Sequence, residues 1–272
     1  AATADGVPVD VLANVQDGAG AARAASTSEA GGVGLFRTEL CFLSAQTEPS
    51  VAEQSRIYGE VFEAFPGKKV VVRTLDAGSD KPVPFAKHEH EENPALGVRG
   101  IRLWLTNEGL IERQLDAIAA AGEDAKVERP WVMAPMVATV DEARRFAALC
   151  RERELKPGIM VEVPAVALLA DEFLAEVEFF SIGTNDLTQY AMAADRMSSP
   201  LATLTDPWQP AVLRLIKLAA DAGTKAGKPV GVCGEAAADP FLACILIGLG
   251  VTSLSMASSA ISAVGVQLGS VT

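Results

Sequence analysis

The 272-residue sequence is poor in the side chains that metal centres, disulfide scaffolds and membrane spans require: it has four cysteines, two histidines and 6% aromatic residues. Cys41, Cys150, Cys233 and Cys244 are widely spaced and form no C-x-x-C pair, which argues against a zinc ribbon or a disulfide framework; reduced thiols are expected. His88 and His90, both within KHEHEEN, read as a solvated charged loop rather than a metal-binding pair. No apolar run reaches the ~20 residues of a spanning helix. The opening residues AATADGVPVD lack the regions of a signal peptide, so a cytoplasmic protein without a membrane partner is expected. Positive charge is also in deficit. With 23 Lys and Arg against 35 Asp and Glu, net −12, the surface repels nucleic acid and anionic membrane, and an anionic ligand needs a local basic cluster.

What the chain does have is a globular balance, 49% hydrophobic and 21% charged, enough for one substantial core. Short apolar runs alternate with helical stretches: VDVLANV from Val9, GVGLFRTE from Gly32, KVVVRTLD from Lys69, WVMAPM from Trp131, GIMVEV from Gly158, FFSIGTND from Phe179, PVGVCGE from Pro229 and SLSM from Ser253. The first seven are apolar over most of their length, as parallel strands buried on both faces are. Thr139 and Glu142 make a capping box, Asp239-Pro240 a cap with a first-turn proline, and Pro164 and Pro210 mark further helix starts. Eight strands, each with room for a following helix, fit a closed (β/α)8 TIM barrel occupying residues 1–272 as a single domain. A doubly wound open sheet is the alternative. Residues 78–105 and 197–209 exceed the minimal repeat and read as long loops, which in a barrel lie on the catalytic face.

The polar residues gather where barrel sites are built. The apolar runs end in Arg37, Arg73, Glu162, Asn185 with Asp186, and Cys233, at the carboxyl ends of five strands. Arg99 and Arg196 can join from the two long loops, giving forked donors for phosphate and carboxylate oxygens. Alternatively, Arg37 and Arg73 are strand-end arginines paired with Glu39 and Asp76. Glu162 and Asp186 end adjacent strands and suit a Mg²⁺ site. They also suit helix caps, since Glu162 precedes Pro164 and Asp186 opens an LTQYAMAAD helix. Cys233 is either a reactive thiol beside a glycine or a buried core cysteine. Cys41, Cys150 and Cys244 lie in helical or apolar settings and read as structural.

At these residues a resemblance emerges. GVGLFRTELCFL, VVVRTLDAGSDK, ENPALGVRGIR, GIMVEVPAV, FFSIGTNDLTQYAMAADR, GVCGEAA and SLSMASSAI resemble, in order, the signature blocks of the carboxyl-terminal domain of enzyme I of the bacterial phosphoenolpyruvate-dependent sugar phosphotransferase system. The blocks run to Ile261, after which they fade. Pyruvate phosphate dikinase and phosphoenolpyruvate synthase share the barrel and similar motifs. The tyrosine after DLTQ and the spacing to Asp195-Arg196 are more similar to enzyme I.

The resemblance implies that Arg37, Arg73, Arg99 and Arg196 bind phosphoenolpyruvate, that Asn185 hydrogen-bonds it, and that Glu162 and Asp186 hold Mg²⁺, with Asp186 also facing substrate. It makes Cys233 the proton donor to the enolate. It implies a homodimer, and an acceptor histidine on a separate amino-terminal domain that nothing in this sequence resembles, with the carrier protein HPr beyond it. The barrel alone is then expected to bind phosphoenolpyruvate without completing transfer to give pyruvate. Two rivals remain: a Mg²⁺-dependent lyase acting on a 2-oxo acid, and a non-catalytic dimerisation and ligand-sensing module.

Overall fold

In the computed structural model, which describes residues 1–43, 45–86 and 89–272, the eight expected strands close into a ring. They are β1 (Asp10–Val15), β2 (Gly32–Arg37), β3 (Lys69–Arg73), β4 (Trp131–Ala134), β5 (Lys156–Val161), β6 (Phe179–Ile182), β7 (Val230–Val232) and β8 (Ser253–Met256). Each pairs in parallel with its sequence neighbour, and β1 pairs with β8. Closure removes every sheet edge, and the helices outside cover the outward faces, so the strands are apolar on both sides. The open-sheet alternative is thereby excluded.

Register fixes the level of the functional ends. Arg37 on β2 lies directly opposite Arg73 on β3, so both guanidinium stems leave the barrel at one height. The helix signals act as the sequence implies. In helix Val140–Arg151, the Glu142 N–H donates to the Thr139 hydroxyl at 3.2 Å and the Thr139 N–H donates to the Glu142 carboxylate at 2.9 Å. Asp239 accepts from the N–H groups of Phe241 and Leu242 before helix Pro240–Gly248. Pro164 and Pro210 each open a helix, where the missing N–H is not needed.

Three regions differ from the sequence reading. Between β2 and β3, helix Val51–Ala64 starts on a second capping box, Ser50 with Glu53, which the apolar-run pattern overlooks. Residues 78–105 are an ordered excursion holding 3-10 helices Pro94–Leu96 and Gly100–Leu105. Gly100 has φ +58, and a Cβ there would come within 3.0 Å of the Met136 Cβ; its lack of a side chain lets the excursion dock on the end of β4. Beyond Ile261 the chain forms helix Ile261–Leu268, packed beside helix Pro240–Gly248.

The amino-terminal end of the barrel is closed by tilted aromatic packing, with 49° between the Phe179 and Trp131 ring planes. Phe179 and Trp131 lie 4.8 Å apart between ring centres, and the ammonium groups of Lys69 and Lys156 sit 4.2 and 3.8 Å from the Trp131 ring centre. Burial, with Lys156 nearby, pushes the Lys69 amine down to about 8, although Asp10 opposes the shift. No helix among the described residues is long and apolar enough to cross a membrane.

Candidate functional site

At the opposite end, the carboxyl ends of the strands surround a cavity of about 1020 Å³. Arg37, Arg73, Arg99, Glu162, Asn185, Asp186, Arg196 and Cys233 all line it, so the fold brings every predicted site residue together. They arrive from β2, β3, the ordered excursion, the end of β5, the start of helix Thr184–Met192, the segment after that helix, and the end of β7. Lys81, Glu39, Asp76 and Tyr190 line it too.

Guanidinium groups and carboxylates interlock on one wall. Arg73 reaches Glu39 at 3.0 Å and Asp76 at 3.4 Å; Arg99 reaches Asp76 at 2.8 Å and Asp186 at 3.3 Å. Glu39 also accepts the Asp76 N–H at 3.0 Å. The strand-end pairing alternative therefore holds for Arg73 but not for Arg37. Among the described residues Arg37 and Arg196 have no carboxylate partner, leaving two arginines of the cavity free to meet an anion. Arg73 Nε is buried with no hydrogen-bond partner among the described residues, a cost that a ligand oxygen would remove. Burial alone would raise the Asp76 carboxyl, but Arg73 and Arg99 override it and hold Asp76 below the usual carboxylate range.

Glu162 is the opposite case. It is 1% exposed, and burial, reinforced by Asp186 and Asp76, pushes its carboxyl up to about 8 against the pull of Arg99 and Arg73. One oxygen accepts the Met136 N–H at 2.7 Å, a bond made from a left-handed backbone, φ 62 at Met136. Such strain in a non-glycine residue persists where the surroundings hold it. Neither carboxylate acts as a helix cap: the helices that begin at Pro164 and Thr184 have no side-chain cap. Glu162, buried without an ion-pair partner among the described residues, and Asp186, held by Arg99 at 3.3 Å, form a hard oxygen donor set that suits Mg²⁺ with remaining positions filled by water or substrate. No group of three or more His, Cys, Asp or Glu residues is placed to hold a metal among the described residues.

Cys233 is 2% exposed, belongs to the barrel's inner apolar cluster and still lines the cavity, so the two sequence alternatives for it are not exclusive. Burial pushes its thiol up, although Ser181, Arg73 and Arg37 pull the other way, so the group is held in its protonated form. Its Sγ donates toward the Ile182 carbonyl at 3.6 Å, and Asn14 on β1 donates to the Cys233 carbonyl at 3.2 Å. The next residue must be glycine: a Cβ at Gly234 would lie 2.0 Å from Thr184 Oγ1. Asn185 Oδ1 accepts the Glu235 N–H at 3.1 Å, joining the ends of β6 and β7.

Sequence reasoning missed Lys81 and Tyr190. Lys81 contributes to lowering Asp76; the Tyr190 hydroxyl donates to the Ala95 carbonyl and accepts from Arg99 at 3.4 Å. A lysine within the long loop and a tyrosine six residues before Arg196 were the available signals. His90 is exposed and does not line the cavity; His88 lies outside the described residues. Cys41, Cys150 and Cys244 are free and sit in helices, and burial pushes the Cys41 thiol up to about 12.

A closed parallel barrel whose carboxyl-end mouth ranges four arginines and a lysine against three buried carboxylates, Asp76, Glu162 and Asp186, and a protonated thiol suits a small polyanion with phosphate or carboxylate oxygens. The chain belongs to the family of PEP-utilising enzyme, PEP-binding domains, whose model matches residues 1–272. Phosphoenolpyruvate-protein phosphotransferase of Streptomyces coelicolor is 51% identical over all of this chain and 49% of its own length. Its namesake from Geobacillus stearothermophilus is 42% identical over 98% of this chain and 48% of its own length. The chain thus spans about half the length of these curated relatives. Among solved structures, an HpcH/HpaI aldolase/citrate lyase family protein from Burkholderia cenocepacia matches with a TM-score of 0.52 at 16% identity, over 96% of this chain and 92% of its own; this likeness is one of fold.

Proposed function

We propose that the chain is the phosphoenolpyruvate-binding and enolate-protonating half of a phosphoenolpyruvate-protein phosphotransferase, the first enzyme of a sugar phosphotransferase system. The observation that carries this reading is the convergence of Arg37, Arg73, Arg99 and Arg196 on the cavity that also holds Glu162, Asp186 and Cys233. The names of the relatives support it, since each of the two above is a protein-directed phosphotransferase.

Arg37 and Arg196, free of carboxylate partners among the described residues, take up the phosphate and carboxylate of the substrate, and Arg73 and Arg99 turn toward it in exchange for part of their bonding to Asp76. Asn185 hydrogen-bonds the substrate. Glu162 and Asp186 would hold Mg²⁺, which when bound screens the phosphate charge and that of the departing enolate. An acceptor histidine nitrogen attacks phosphorus; the P–O bond to the enol oxygen breaks and its electrons remain on the enolate. The Cys233 thiol gives its proton to the enolate methylene carbon, forming pyruvate, and the thiolate is reprotonated from solvent. His90, exposed and away from the cavity, is no candidate acceptor. The acceptor is proposed to belong to an amino-terminal phosphohistidine domain, which passes the phosphoryl group to the carrier HPr, and the barrel to pair as a homodimer.

Run backwards with pyruvate, the protonation step gives an assay needing no acceptor. In D₂O with Mg²⁺ the chain should exchange the methyl protons of pyruvate, and Cys233→Ala should slow this about 10²-fold or more while still binding phosphoenolpyruvate. Exchange unchanged in Cys233→Ala would remove the thiol from the chemistry. Cleavage of a 4-hydroxy-2-oxo acid, with no affinity for phosphoenolpyruvate, would favour the lyase reading.

A further inference from the structure

A continuous, fully buried line of polar side chains runs behind the arginine wall, outside the cavity. Gln54, Tyr58 and Thr38 are 0% exposed and Gln114 is 1% exposed, although apolar packing surrounds them on the facing helices Val51–Ala64 and Leu110–Asp124. Burying four polar side chains is tolerable only when their polar atoms find partners, and each polar atom here has at least one.

The direction of the chain is set by one backbone group. The Leu75 N–H, just past the end of β3, donates to Gln114 Oε1 at 2.9 Å. With its oxygen so occupied, the Gln114 amide nitrogen must donate, and it does so to Thr38 Oγ1 at 3.0 Å and to the Tyr58 hydroxyl at 3.2 Å. The Thr38 proton is then left to donate to the Arg73 carbonyl at 2.9 Å. The Tyr58 proton goes to Gln54 Oε1 at 2.9 Å, and Gln54 Nε2 donates to the Pro49 carbonyl at 2.9 Å. Each of these side-chain nitrogens and oxygens has at least one partner, and reversing either amide would set donor against donor or acceptor against acceptor.

One branch of this line ties together the places where β2 and β3 end. Thr38 follows Arg37, its hydroxyl holds the carbonyl of Arg73, and Gln114 holds the Leu75 N–H that separates Arg73 from Asp76. The sheet ladder no longer fixes this stretch past Thr74, whose N–H bonds to the Met133 carbonyl at 3.0 Å; Gln114 takes over where it stops. Asp76 in turn pairs with both Arg73 and Arg99. We infer that Gln114, with Thr38, is a positioning pair for the phosphoenolpyruvate arginines: it clamps β2 to β3 from behind and so sets where Arg37, Arg73 and Asp76 stand in the cavity. The inference rests on the proposed substrate. The Tyr58–Gln54 branch leads away from the strand ends and serves stability alone.

The test compares Gln114→Met, Thr38→Val, Thr38→Ser and Tyr58→Phe, reading amide hydrogen exchange at Leu75 and calorimetric binding of phosphoenolpyruvate with Mg²⁺. Gln114→Met and Thr38→Val should each weaken binding about tenfold, because displaced arginines lose their aim, and Gln114→Met should also speed exchange at Leu75 by about tenfold or more. Thr38→Ser keeps the hydroxyl and should bind like the parent. Tyr58→Phe should lower the melting temperature yet leave affinity and Leu75 exchange unchanged. If Gln114→Met fails to fold, Thr38→Val and its serine rescue decide alone. Parent-like affinity in both Gln114→Met and Thr38→Val, or equal losses in Tyr58→Phe, would overturn the positioning role. A parent protein that fails to bind phosphoenolpyruvate would sink the substrate reading, while Leu75 exchange in Gln114→Met against Tyr58→Phe would still judge the clamp: unchanged protection in Gln114→Met overturns it.

Discussion

The two ends of this barrel are built by opposite rules. At the amino-terminal end, Phe179 and Trp131 pack at a tilt, Lys69 and Lys156 lie against the indole, and Gly158 makes room for the Phe179 ring, which a Cβ would meet at 2.3 Å. The ring packing and the cation–π contacts there stabilise the fold, although burial of the Lys69 amine offsets part of that gain. At the carboxyl end, Glu162 is buried without enough compensating charge, Met136 holds a left-handed backbone, and Arg73 Nε lacks a partner. Those features cost stability, and they are explained if a charged ligand completes them. The same strands thus carry a stabilising plug at one end and a partly uncompensated site at the other.

The largest expected effect breaks the stable end. Phe179→Ala should cost about 3–5 kcal/mol of unfolding free energy, the range for removing a buried aromatic ring, and leave phosphoenolpyruvate affinity of the folded protein within about twofold; urea denaturation and calorimetry would check both. Arg196→Ala should do the reverse. Arg196 is exposed and makes no ion pair among the described residues, so its loss should leave the melting temperature unchanged and weaken phosphoenolpyruvate about tenfold, or ~1.4 kcal/mol.

A smaller effect sharpens the contrast by making the site more stable. Glu162 carries its folded carboxyl near about 8 against 4.5 ordinarily, so its protonated form stabilises the fold at low pH, and that stabilisation is lost as pH rises from about 4.5 through 8. Glu162→Gln removes the loss. Without ligand the variant should be more stable by about 1 kcal/mol or more above pH 8 and equal to the parent near pH 4. Thermal melts across that range read the difference, and a less stable variant would mean that Glu162 is not an electrostatic burden. The smallest effect lies at the plug. Lys69 is depressed to about 8 from 10.5, so between those values the unfolded chain binds more protons and stability rises with pH. The rise should be under ~1 kcal/mol after solvent screening, and absent in Lys69→Met.

Much of this was legible in the sequence because strand ends in a parallel barrel follow directly from apolar runs. Arg37 and Arg73 end their strands, and Glu162, Asn185, Asp186 and Cys233 lie one to four residues past theirs, which is why a one-dimensional reading found the cavity wall. Local signals served as well for Thr139 with Glu142 and for Asp239, whose partners lie within four residues. What escaped was long-range and polar. Gln114 meets Thr38 across 76 residues and Leu75 across 39, and in sequence a glutamine on an amphipathic helix looks like a solvated side chain. The sequence also could not choose which strand-end arginine would be paired: Arg73 meets Glu39 and Asp76, whereas Arg37, at the same level on the next strand, meets neither.

The comparison of the two ends depends most on what completes the carboxyl-end site. Titration calorimetry of the chain with phosphoenolpyruvate, in Mg²⁺ and then in excess chelator, tests it directly. Binding in Mg²⁺ that weakens at least about tenfold on chelation, because two buried carboxylates then face the substrate without a cation, is the expected result. Equal affinity in both conditions, or no binding in either, would contradict the account.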